Sequence, residues 1–189
     1  MKIFFFGGTF DPPHKGHESI VNHALQLCDK LIIFPSKLTP GKKVLPKASI
    51  NHRMNMLKLL FNDQKIKIDD FDLKQNKKNY TYLTVLYLKK IYRKSALTMI
   101  VGRDQLVNFH NWKNYKLINE NVNIICYNRN IKHVTQKNKE YDHNAMIINE
   151  FDINISSTEI RNNINKFENN SDHIDSSIIS YIKKNNLYV

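Results

Sequence analysis

The sequence predicts an α/β fold, a mostly parallel β-sheet with helices on both faces. Short apolar runs that suit buried strands alternate with stretches of helical spacing through the 189 residues. The first run leads at once into a glycine-rich turn and a helix, an order that puts a ligand at the carboxyl edge of such a sheet. No internal repeat or long linker divides the chain, so residues 1–189 read as one domain large enough to bury a core.

The elements follow in order. Lys2-Ile3-Phe4-Phe5-Phe6 is too short for a core helix, and its aromatics suit a strand covered on both faces. Gly7 and Gly8 end it, Pro12-Pro13 excludes helix locally, and beyond Gly16 the residues Ile20, Val21, Ala24, Leu25 and Leu27 give a helical apolar face. Residues 30–35 form a second strand closed by proline, and 36–47 a basic loop. A helix is expected over 48–61 with Ile50, Met54, Leu57, Leu60 and Phe61 on one side. Residues 66–69 alternate as a strand, 74–79 connect, and 80–92 return to helical spacing. Strands over 96–102 and 122–127 follow, separated by the aromatic stretch Phe109-His110-Asn111-Trp112. Residues 130–144 are polar and read as loop; strand character resumes at 145–148 and could extend to Ile155. Helices are expected from Ser156 and over 174–186.

Composition narrows the class. A hydrophobic fraction of 41% with 11% aromatics indicates a globular chain. No apolar stretch approaches the length of a membrane span, and residue 1 opens onto a strand without a signal-peptide pattern, so the expectation is a cytoplasmic protein with no membrane partner. Cys28 and Cys126 lie far apart without metal spacing, and read as two reduced, buried thiols. The net charge of +12 suits nucleic acid or phosphorylated substrates. Its lysines are spread among many Asn and Ile rather than gathered in a patch, so a nucleic-acid partner is not expected.

Two segments carry chemistry. A strand, a Gly-rich turn and a helix N-terminus make a phosphate-binding corner, where backbone donors and the helix dipole favour an anion. His14 and His17, three apart around Gly16, can both face that anion as donors. The spacing is neither a Walker A loop nor a Gly-x-Gly-x-x-Gly turn. Near the other end, Ser156 and Glu159 fit a capping box, which leaves Thr158 and Arg161 unexplained. Hydroxyls with a guanidinium at a helix start suit β- and γ-phosphates.

His14-Lys15-Gly16-His17 resembles the His-x-Gly-His signature of the nucleotidyltransferase superfamily. Asn79-Tyr80-Thr81, Gly102-Arg103-Asp104, Phe109 with Trp112, and Tyr181-Ile182 to Leu187-Tyr188 extend the likeness across almost the whole chain to bacterial nicotinate-nucleotide adenylyltransferases. The resemblance implies a Rossmann-like nucleotidyltransferase fold. It also implies transfer of AMP from ATP to nicotinate mononucleotide, giving nicotinate adenine dinucleotide and pyrophosphate in NAD biosynthesis, with Mg²⁺ accompanying ATP and no metal ligands on the chain. By resemblance His14, His17 and Arg161 are catalytic. ATP and its phosphates fall to Gly7, Gly8, Thr9, Phe10, Lys42, Gly102, Asp104, Ser157 and Thr158. The mononucleotide falls to Trp112, stacking on the pyridine, and to backbone N–H groups near Thr81 and Lys113, meeting its carboxylate.

One departure stands out: the family's Pro-Pro-His-Lys loop reads Thr39-Pro40-Gly41-Lys42-Lys43 here, so Lys42 keeps its charge while Gly41 replaces the histidine. Arg53 and Arg129 read equally as phosphate or loop contacts or as surface ion pairs. Competing readings are a phosphopantetheine adenylyltransferase, a nicotinamide-preferring relative, or a basic nucleic-acid-binding protein on an inactive nucleotidyltransferase fold. The sequence leaves the oligomeric state open, a homo-oligomer included.

Overall fold

The structure, a computed structural model, describes residues 1–38, 45–75, 79–128, 145–149, 155–164 and 172–188. Strands β1 (Lys2–Gly8), β2 (Lys30–Pro35), β3 (Ile66–Ile68), β4 (Ala96–Gly102), β5 (Asn123–Tyr127) and β6 (Ala145–Ile148) form one six-stranded sheet in the order β3-β2-β1-β4-β5-β6. Every neighbouring pair is parallel. The order reverses between β1 and β4, whose register pairs Phe6 with Ile100, and a crevice opens beyond the strand ends at such a switch.

The period of two decides the layers. Ile3 and Phe5 point to one face, with Ile32, Phe34, Met99 and Ile124. There they meet Val85 and Leu88 of α3 (Thr81–Ile91) and Ile118 of α5 (Tyr115–Asn121). Phe4 and Phe6 point to the other face with Ile33, Ile100 and Ile125. This side is covered by Ile20, Val21 and Ala24 of α1 (Lys15–Leu27) and Leu57 of α2 (Ile50–Leu60). A third cluster joins Met56 of α2 to Ile160 of α6 (Ser157–Asn162) and to Ile178, Ile179 and Ile182 of α7 (Ser176–Lys184). Two parallel, doubly covered strand faces explain why the strands read as unbroken apolar runs.

Differences from the sequence reading have physical causes. Helix α2 buries Leu57 of the anticipated set, with Phe61 at its C-cap, but it also turns Arg53 and Met56 inward, while Ile50, Met54 and Leu60 are only partly buried. Between β4 and β5 lie helix α4 (Arg103–Val107), a 3₁₀ turn over Phe109–Asn111 and α5, none of them expected. They are too short to show a full helical period, and burial of Phe109 and Ile118 anchors them. The last helix is shorter than 174–186, ending where Asn185 caps it. The expected loop over 130–144 and the strand's possible extension through 150–154 lie outside the described residues, as do Lys42 and Arg129. Among the described residues no helix is long and apolar enough to cross a membrane. Cys28 and Cys126 are buried free thiols, and burial pushes the Cys126 thiol up to about 11.

Candidate active site

The turn after β1 is built around Phe10. Its backbone is left-handed (φ 50°), which folds its ring, 1% exposed, back over the strand end. A Cβ at Gly8 would lie 2.8 Å from the Phe10 ring, so only glycine fits there. At Gly7 a Cβ would meet nothing within 4 Å, leaving open space on the ligand side. The Phe10 ring packs edge-on against Phe6 (5.4 Å) and His17 (4.9 Å), so its side chain supports the histidine from the core. What Phe10 can offer a ligand is its backbone.

His14 is the N-cap of α1, and its Nδ1 accepts the N–H of Gly16 at 3.1 Å. His17 Nδ1 in turn accepts the N–H of His14 at 3.2 Å, completing a reciprocal capping box made of two imidazoles. An Nδ1 that accepts a hydrogen bond carries no proton, so each neutral ring holds its proton on Nε2. The caps thereby turn both histidines into Nε2–H donors with fixed orientation. Both are buried, with ring centroids 3.8 Å apart.

Capping also revises one expectation. The first-turn N–H groups of α1 have protein partners: Lys15 donates to the His173 carbonyl at 3.0 Å, Gly16 to His14 Nδ1, and His17 to the His14 carbonyl at 2.8 Å. The helix dipole still favours an anion, but donation to it rests on the imidazoles rather than on these amides.

The second corner is fastened to the first. Ser156 Oγ caps α6 by accepting the Glu159 N–H at 3.2 Å; this is one half of the anticipated box. Ser157 Oγ donates to the Pro12 carbonyl at 2.9 Å, so its hydroxyl proton joins the two corners instead of pointing at phosphate. Arg161 Nη1 donates to the Asp11 carbonyl at 2.5 Å and Nη2 donates to Thr158 Oγ1 at 3.1 Å. A guanidinium has five N–H groups, so a planar fork with further donors is held beside the His14–His17 turn. Gly102 ends β4, the strand beside β1, and Asp104 lies exposed at the start of α4.

Thr81 opens α3, whose N-cap residue Tyr80 makes no side-chain cap. Lys113 Nζ sits 4.8 Å over the Tyr80 ring, which brings the Trp112–Lys113 segment to that helix start. Trp112 is half-buried, its ring edge-on to Phe109 at 5.4 Å. Beneath this turn, Asn79 Nδ2 donates to Asp72 Oδ1 and to Thr84 Oγ1, and Thr84 Oγ1 donates to Asp72 Oδ1 at 3.2 Å. Burial pushes the Asp72 carboxyl up to about 6, against the opposing pull of those two donors.

One residue, Asp11, escaped the sequence reading, and a second, Arg53, takes one of its anticipated roles. Asp11, 2% exposed, accepts the Lys47 N–H (2.7 Å), the Ala48 N–H (3.0 Å) and the Tyr188 hydroxyl (2.8 Å). An acidic residue inside an anion-binding turn has to aim away from the anion, and that was the available signal. Arg53, 2% exposed, is the loop contact among its anticipated readings rather than a surface ion pair. Its Nη1 donates to the carbonyls of Thr9 (2.7 Å) and Ser36 (2.9 Å), tying the ends of β1 and β2 together. Burial lowers its pKa, opposed by the nearby Asp11 charge. Among the described residues no three His, Cys, Asp or Glu side chains gather as a metal site.

Residues 5–163 match the cytidylyltransferase-like family. A protein of Fusobacterium nucleatum named probable nicotinate-nucleotide adenylyltransferase is 35% identical over 191 residues, covering 97% of this chain and 98% of the relative. One of the same name from Clostridium tetani is 33% identical, covering 99% and 98%. The fold recurs in Plasmodium falciparum nicotinic acid mononucleotide adenylyltransferase complexed with NaAD, at a TM-score of 0.78 and 24% identity over 99% of this chain and 97% of that one. The chain is a nucleotidyltransferase: it belongs to the cytidylyltransferase-like family, and within it to the nicotinate-nucleotide adenylyltransferases.

Proposed function

We propose that this protein transfers AMP from ATP to nicotinate mononucleotide. The mononucleotide phosphate oxygen attacks the α-phosphorus in line, the new P–O bond forms as the α–β bond breaks, and pyrophosphate leaves. The observation that carries this reading is the bond from Arg161 to the Asp11 carbonyl, which holds a guanidinium beside the two histidine donors.

In this reading His14 and His17 donate from Nε2 to oxygens of the reacting phosphates as charge builds there. Gly7, Gly8 and Thr9 guide the triphosphate past the strand end, and Thr158 with Arg161 holds the departing pyrophosphate. Gly102 and Asp104 receive the adenosine. Trp112 stacks on the pyridine while backbone N–H groups near Thr81 and Lys113 meet its carboxylate. Lys42 adds charge from the loop after β2. Mg²⁺ would enter with ATP as the Mg-ATP complex and neutralise phosphate charge, while both Asp11 carboxylate oxygens already accept protein hydrogen bonds. Phosphorylated substrates account for a net charge of +12 without nucleic acid, and fit a cytoplasmic setting.

The test is pyrophosphate release from Mg-ATP with nicotinate mononucleotide, nicotinamide mononucleotide or phosphopantetheine as acceptor. Preference for the first is expected, because N–H donors arranged for a carboxylate meet an amide NH₂ badly. Preference for the amide keeps the chemistry and overturns the roles of Thr81, Trp112 and Lys113. Turnover with phosphopantetheine alone, or with none of the three, overturns the substrate assignment.

A further inference from the structure

Arg161 is aimed by Asp11, and Asp11 is aimed from elsewhere. Its carboxylate receives three donors: the backbone N–H groups of Lys47 and Ala48, and the phenol of Tyr188 at 2.8 Å, 177 residues away in sequence. Tyr188 reaches it through an unusual path. Asn186 and Tyr188 both have left-handed backbones (φ 48° and 66°), a conformation bulky side chains rarely adopt. The turn is tied back to α7 by the Asn186 and Leu187 N–H groups, which donate to the carbonyls of Lys183 (3.1 Å) and Ile182 (3.0 Å). Helix α7 is fixed in turn to α2, where Tyr181 bonds His52 and Asn55 at 3.0 Å each. The same α2 carries Arg53, which grips the Thr9 carbonyl two residues before Asp11. One frame thus holds both the carboxylate and the turn that bears it.

We propose that Tyr188 is a positioning residue of the phosphate site: its hydroxyl fixes the Asp11 carboxylate, and through Asp11 it sets the Arg161 fork toward the leaving pyrophosphate. This rests on the pyrophosphate role given to Arg161 above. Arg161 touches Asp11 twice, through the carbonyl at 2.5 Å and across 3.8 Å to Oδ2. Rotation of the carboxylate therefore moves the guanidinium's electrostatic partner, while the contact to the carbonyl stays with the backbone. Burial pushes the phenol's pKa well above its usual range, so it stays a neutral donor across working pH. Geometry matters here because a group misplaced by about 1 Å can cost roughly a hundredfold in rate.

The test is a double-mutant cycle of Tyr188→Phe with Arg161→Ala in the full chain. Tyr188→Phe keeps the ring and its packing while removing the single hydrogen bond. It is expected to lower kcat and weaken pyrophosphate binding by about tenfold each, with the KM for nicotinate mononucleotide within about twofold. In the Arg161→Ala background its effect should shrink to less than about twofold, because the path it acts through is gone. Equal effects in both backgrounds, or no effect in either, overturn the proposal. A wild-type protein that neither turns over nor binds pyrophosphate overturns the adenylyltransfer reading instead. The Arg161 guanidinium resonance then decides the latch alone: a shift or broadening in Tyr188→Phe supports it, and an unmoved signal overturns it.

Discussion

His14 and His17 orient each other: the backbone N–H of the first donates to Nδ1 of the second at 3.2 Å, and their rings lie 3.8 Å apart. Each imidazole thus has a structural nitrogen and a chemical one. The two jobs can be separated. His17→Gln keeps an acceptor at the third helical position and should unfold within a few degrees of the parent, yet lose about a hundredfold or more in turnover. His17→Ala should lose the same activity and about 1 kcal/mol of cap as well. Paired melting curves and pyrophosphate-release rates check this, and a Gln variant with near-normal turnover would remove His17 from the transition state.

Trp112, where a pyridine ring is proposed to stack, packs edge-on against Phe109 and is half-buried next to Lys113, whose Nζ lies over the Tyr80 ring. Stacking on an aromatic side chain is worth about 1–3 kcal/mol. Trp112→Ala should therefore raise the KM for nicotinate mononucleotide by about tenfold to a hundredfold, leave the KM for ATP nearly unchanged, and be largely rescued by Trp112→Phe. Steady-state kinetics with each substrate varied separately distinguishes this from a general loss of folding, which would move both constants.

Asp72 gives a pH dependence whose sign can be worked out. Its folded pKa is raised by burial to about 6 from 3.8, so the folded state holds the proton more tightly than the unfolded chain. Its contribution is fully present below about pH 4 and is lost as pH rises through 6. Asp72→Asn preserves an oxygen acceptor for Asn79 and Thr84 while removing the buried charge. It should add at most ~3 kcal/mol of stability at pH 8, read as a higher melting temperature, and give little gain at pH 4. Thermal melts at the two pH values test it, and an equal gain at both would show that the effect is packing rather than charge.

Arg53 Nη1 bridges the carbonyls of Thr9 and Ser36 at 2.7 and 2.9 Å from a nearly inaccessible position. Arg53→Ala strands both acceptors and should cost about 2–4 kcal/mol, a drop on the order of 10 °C in Tm. Arg53→Lys, a point donor in place of a planar fork, should recover only part of it. Loss of activity in step with loss of stability is the expected pattern, since the bridge holds the turn that bears Asp11 and His14. Full stability in the Ala variant would show that the bridge contributes nothing to the fold.

What could be read from the sequence was whatever a short window of residues decides. The strands β1, β2, β4 and β5 were visible because parallel strands covered on both faces must be apolar along their length. The His14–His17 corner was visible because a strand, glycines and a helix start are contiguous. Helix α2 was located, with Leu57 and Phe61 inward as its spacing predicts, but periodicity alone does not anticipate a buried Arg53. Helices α4 and α5 were missed because five to seven residues carry too little pattern, and packing of Phe109 and Ile118 holds them.

The sequence by itself determined the alternation of strands and helices, the phosphate-binding corner, and the family to which the chain belongs, all consequences of local order along the backbone. Only the tertiary structure decided which groups meet: Arg161 at the Asp11 carbonyl, Tyr188 at its carboxylate, Lys113 over Tyr80. Those contacts join segments as much as 177 residues apart, and the parallel sheet brings them to one edge because every crossover returns the chain in the same direction.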